Sequence, residues 1–105
     1  MDGNAVVRRF RFNNLVIANI GAVTNLAVDV AVTAGMVAAG DIGFAIPVDN
    51  PIDGGIPAII PCIATTNANI RLIFTNASAG AINPADTFDF NVVMFPQVGN
   101  LAQTV

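Results

Sequence analysis

The sequence predicts an all-β protein built as a single-domain antiparallel β-sandwich. Three observations carry that expectation. Several stretches alternate apolar and polar residues with a period of two, the mark of half-buried strands. Turn-forming residues recur at intervals of roughly 8 to 12 residues, as in sandwiches. No stretch holds an apolar stripe at helical spacing, so no helix of any length is expected.

The expected elements follow in order. Residues 1–5 look like a short N-terminal arm. Val6 to Ile20 carries one long or two short strands, with Asn13-Asn14 as a bend before Leu15. A turn at Gly21 leads into Asn25–Thr33, where Leu26, Val28, Val30 and Val32 share one face. After the small-residue connection AGMVAAGD, Ile42, Phe44, Ile46 and Val48 make the next inward set, with Pro47 marking an edge or strand end. Asp49 to Pro57 is a loop rich in turn signals. Ala58 to Ala64 is a short apolar strand, an edge again because Pro61 cannot donate to a ladder. Asn69 to Phe95 then organises the whole as two strands joined in a hairpin by a turn-rich connection. Ile70, Leu72 and Phe74 line one strand; Phe88, Phe90, Val92 and Met94 line the other. Residues 96–105 form a polar C-terminal tail. Seven or eight strands result, in one domain spanning 1–105.

Composition bounds the function. The 105 residues contain no His, Lys, Glu, Trp or Tyr, and charged residues make up 10 % against 54 % apolar. So little charge leaves a free monomer prone to associate, so other subunits are expected to cover much of its apolar surface. The net charge of −3 gives no general attraction to nucleic acid. The single Cys62 cannot form an internal disulfide and fits a small buried apolar role. The opening MDGNAVVRRFRF has no apolar core of a secretory signal, and Asn and Pro residues interrupt every long uncharged window. A soluble protein is expected.

Catalysis is opposed by the inventory, since four of the usual acid–base residue types are missing. Ser78 is the only serine and has no histidine to activate it. Asp86 and Asp89, three apart on a strand, face opposite sides. The run Asp49-Asn50-Pro51-Ile52-Asp53-Gly54 echoes a calcium loop, yet Pro51 occupies a ligand position and no Glu follows. No enzyme, metal or cofactor is therefore expected. Asn76-Ala77-Ser78 is formally a glycosylation sequon, better explained as a turn. The cluster Arg8, Arg9 and Arg11 is the one basic feature. On a strand Arg9 and Arg11 share a face while Arg8 points across, which suits a contact to an acidic protein surface.

The segments Asn69–Ser78 and Ala81–Val92 also carry a resemblance. An alternating strand opened by Asn69 ends in Asn76-Ala77-Ser78; an Ile82-Asn83-Pro84 turn follows, then Thr87-Phe88-Asp89-Phe90-Asn91-Val92. Gly40-Asp41 precedes another apolar strand. This arrangement resembles short tailed-bacteriophage virion proteins of the capsid decoration (cement) or head-fibre type, over roughly residues 25–95. Asn83 stands where Asp is common in that pattern. The resemblance implies a jelly-roll-like sandwich, with immunoglobulin-like topology as the alternative. It implies a homo-oligomer, a trimer before a dimer, bound to the major capsid protein on the virion's outer surface after assembly in the host cytoplasm. Arg8, Arg9 and Arg11 are the expected capsid contacts. The rival expectation is a fibre- or tail-associated module that binds host glycans, which the lack of Trp and Tyr for sugar stacking opposes.

Overall fold

A computed structural model describes residues 7–48, 58–84 and 87–97. Six strands form one antiparallel sheet: β1 (Arg8–Val16), β2 (Thr24–Ala31), β3 (Ile42–Pro47), β4 (Ile60–Thr66), β5 (Asn69–Asn76) and β6 (Thr87–Phe95). Their spatial order is β1-β6-β3-β4-β5-β2, so β1 and β2 are the edges. The described residues hold no helix. The expected arm 1–5, the loop 49–57 and most of the tail after residue 97 lie outside them.

The sheet is curled rather than flat. β5 and β6 are not neighbours, because β3 and β4 stand between them. Even so, the rings of Phe74 on β5 and Phe90 on β6 meet edge-on with centroids 5.9 Å apart. The sheet therefore bends across β3 and β4, and side-chain size explains how. Most inward residues at the bend are small, namely Gly43, Ala45, Cys62 and Ala64, with Ile60 at the start of β4 the large exception. The inward residues on β5 and β6 are Ile70, Leu72, Phe74, Phe90, Val92 and Met94, all buried. Small residues predominate at the fold and large ones on the facing walls, so the two walls can approach and pack.

Gly43 is where this is tightest. A Cβ there would sit 1.9 Å from the Val93 carbonyl oxygen and 2.8 Å from the Met94 sulfur. No L side chain fits, and glycine within a strand commonly marks such a bend.

β1 shows the second local device. It pairs with β6 from Arg8↔Met94 to Phe12↔Phe90, then resumes at Leu15↔Phe88 with one residue extra. That β-bulge keeps Phe10, Phe12 and Leu15 on the inner side although their spacing breaks period two. Asn14 takes the left-handed conformation with φ of 56°, which asparagine tolerates better than most residues. The Asp89 carboxylate fastens the bulge, accepting from the Asn14 backbone N–H at 2.8 Å.

Four expectations are corrected. β5 and β6 do not form a hairpin; β5 pairs with β4 and β2, and β6 with β1 and β3. The long connection between them is anchored by a bridge from Ile82 to Ile20. On β3 the inward set is Gly43 and Ala45, while Ile42, Phe44 and Ile46 face outward. Pro61 does not mark an edge strand, since β4 is internal, whereas Pro47 marks a strand end, one of its two expected roles. Pro47 ends β3, and Pro61 precedes Cys62↔Leu72, where the β4–β5 ladder starts. Finally, six strands are present among the described residues rather than seven or eight. The antiparallel all-β class, the bend at Asn13-Asn14 and the alternation along β2 match the sequence reading.

Replacing Gly43 with alanine overpacks the bend, so Gly43→Ala lowers stability by about 3 kcal/mol. Urea unfolding measures this. A midpoint equal to the wild type would show that the β3–β6 contact yields freely.

Candidate protein-interaction surface

Strand register places the outward side chains in rows across the sheet. At one level Arg9, Val93, Phe44 and Pro61 stand side by side. At the next come Phe95, Ile42, Ile63, Arg71 and Asp29. The middle strands β6, β3 and β4 thus present a continuous apolar outer face. Ile42 is 50 % exposed, Ile46 42 % and Phe95 41 %. Phe44 packs on Phe95 with ring centroids 5.9 Å apart. Around Val93–Phe95, Ile42–Phe44 and Pro61–Ile63 these strands are apolar on both sides, the pattern of a sheet covered on both faces, whereas Asp89 and Asn91 occupy the outer side of β6 further along. An exposed, contiguous apolar patch of this kind marks an interaction site.

Among the described residues, outward charge lies mainly toward the flanks, with Asp89 on β6 turned to β1. On one side lies the exchange between β2 and β5, where the Arg71 guanidinium grips both Asp29 carboxylate oxygens at 2.8 and 3.2 Å. That pairing holds the Asp29 carboxyl below its ordinary range. Both groups are largely exposed, so the pair adds little stability. On the other side are the three arginines of β1. All three are exposed, and Arg9 and Arg11 share the outer face with Arg8 on the opposite side of the strand, the facing expected from their spacing. Arg11 reaches Asp89 at 3.4 Å and donates from Nε to Asn13 Oδ1 at 3.0 Å. Arg9 makes no ion pair among the described residues.

The remaining polar residues act in the fold. Asn76 is fully buried and ties the β1–β2 connection to the β5–β6 connection. Its Nδ2 spans the carbonyl oxygens of Ile20, Gly21 and Gly80 at 3.1, 3.1 and 2.8 Å. Its Oδ1 accepts from the Ser78 N–H at 2.9 Å and the Ser78 hydroxyl at 2.6 Å. Every acceptor left unpaired by its loss would cost about 1–3 kcal/mol. The sequon is therefore a structural knot whose amide is enclosed. Asp41, also buried, accepts backbone N–H bonds from Ala38 and Gln97, each at 2.9 Å, and so joins the β2–β3 connection to the end of β6. The calcium-like run 49–54 and Asp86 lie outside the described residues.

The apolar outer face was not foreseen from the sequence. One signal was present: Val92-Val93-Met94-Phe95 is an unbroken apolar run, which a strand with one wet face would not carry. Of the seven Phe, five point inward and only Phe44 and Phe95 belong to this outer face. No protein-family model, curated protein or solved structure matches the chain.

Cys62 supplies a test of burial. Its thiol donates to the Ile60 carbonyl at 3.5 Å, and desolvation pushes its pKa from 9.0 up to about 12. The thiolate is thus disfavoured in the folded state relative to the unfolded one. The stability this provides is complete below pH 9.0 and is lost as pH rises toward about 12. Below pH 9.0 the native thiol should resist a thiol reagent that modifies it at once in denaturant. Above pH 9.0 the wild-type unfolding midpoint should fall faster than that of Cys62→Ala. Rapid native labelling would place Cys62 outside the core.

Proposed function

We propose that the chain is a non-enzymatic structural protein of a bacteriophage virion, a capsid decoration (cement) protein. It binds the outer shell as a homo-oligomer and stabilises neighbouring capsid subunits. The observation that carries the reading is the apolar outer face of β6, β3 and β4, in a chain with too few charges to keep that face in water. A protein whose exposed sheet is built like a core functions when something covers it.

In this reading the apolar face joins copies of the chain around a symmetry axis, with a trimer favoured. The edge strand β1, through Arg8, Arg9 and Arg11, contacts the major capsid protein. Individually weak contacts repeated over a symmetric shell gain by effective concentration. The curled sheet then works as a flattened jelly-roll-like sandwich, with β1, β6 and β3 in one layer and β4, β5 and β2 in the other. The pattern shared with short phage virion proteins supports the same assignment.

The test is the copy number per purified particle, by quantitative peptide mass spectrometry against the major shell protein. Decoration predicts a ratio of one or a simple fraction fixed by the lattice. A handful of copies would move the chain to a fibre or tail, and absence from the particle would overturn the virion assignment.

A further inference from the structure

We propose that the free edge of β1 takes up an extended segment of a partner protein in which apolar residues alternate with carboxylates. Among the described residues β1 pairs only with β6, so its other edge offers backbone N–H and C=O groups with no strand partner there. Such an edge is a template for strand addition. It also borders an open groove of about 710 Å³, with Arg9–Phe12 as one wall and Ala31–Thr33 with Met36 as the other.

The two walls dictate the occupant. Successive neighbours in the sheet are antiparallel, so β1 and β2 run in opposite directions across the groove. A single added strand can be antiparallel to only one of them. Only β1 carries charge on this groove. Side chains of a strand added to β1 would alternate between two environments. Those turned inward would lie against Phe10 and Phe12, facing Val32 and Met36. Those turned outward would stand beside Arg9 and Arg11, where directly opposed opposite charges stabilise and like charges repel. A second copy of β1 is therefore a poor guest, since the antiparallel registers centred on Arg9, Phe10 or Arg11 set arginine against arginine. A segment with carboxylates at alternate positions is the complement.

This deepens the reading of the chain as a protein-binding module by naming the chemistry that β1 grips. It rests on that reading, yet its test needs no virus particle and can fail independently of the copy number. The probe is a blocked synthetic peptide of about six residues, a typical strand length, alternating valine and aspartate. A peptide alternating valine and lysine is the control, and both are titrated into the full chain by fluorescence polarisation. The aspartate peptide should bind and the lysine peptide should not. Arg9→Glu, a side chain with no ion pair to lose among the described residues, should keep the wild-type unfolding midpoint and weaken binding at least about tenfold. Hydrogen exchange should slow at the β1 amides when peptide is added. Equal binding of both peptides, unchanged binding by a folded Arg9→Glu, or protection elsewhere than β1 would overturn the proposal. So would binding of a polythymidine strand in preference to the aspartate peptide.

Discussion

The fold depends on the small side chains at its bend. Gly43, Ala45, Cys62 and Ala64 leave room for the sheet to turn across β3 and β4, and only that turn brings Phe74 over Phe90. Larger inward residues on β3 would hold the sheet open, exposing the Phe, Ile and Leu side chains of β5 and β6 to water. Burying one such side chain contributes about 1.5–3 kcal/mol, so the bend governs a large share of the stability. The Val93 carbonyl and Met94 sulfur already fill the space a Gly43 side chain would need. The constraint is steric and local, with global effect.

The same constraint shapes the surface. With glycine and alanine inside, the bulky residues of β3 are those on the outside, and they meet Val93, Phe95, Pro61 and Ile63 there. The result is an apolar outer patch over the middle strands, with the described arginines lying toward β1 and the β2–β5 pair. The two flanks differ in availability. Arg71 is engaged by Asp29, whereas Arg9 stands free of ion pairs among the described residues beside an unpaired strand edge. An apolar face for wide contact and a cationic edge for directed contact are the physical basis of the binding role proposed for the chain.

Much of this was legible in the sequence, and the misses have definite causes. Strands β2, β5 and β6 follow from clean alternation, and Asn13-Asn14 marks a bend in β1 that the structure forms as a bulge. The facing of β3 was misread because the more apolar set was assigned inward, whereas at a bend size outranks hydrophobicity. Pairing of β5 with β6 was misread because adjacency in sequence suggested a hairpin. Their connection is too long for a tight hairpin turn, and its Ile82 joins Ile20 rather than closing a β5–β6 pair. Pro61 suggested an edge because a missing N–H is costly within a ladder, but it lies just ahead of the first β4–β5 pair. Asn76-Ala77-Ser78 was correctly placed in a turn, although nothing local announced that the asparagine would be enclosed by loops more than fifty residues away. The arginine cluster was legible as exposed; the groove beside it was not, because it exists only once β1 and β2 become the two edges.

The most direct test of the account separates the inner from the outer face of β3. Sedimentation equilibrium and urea unfolding would be run on the wild type and on Ile42→Ser/Phe44→Ser/Ile46→Ser. The account predicts an associating wild type, and a triple variant that is monomeric yet unfolds near the wild-type midpoint. A variant that loses its fold, or a wild type that stays monomeric at every concentration, would contradict it.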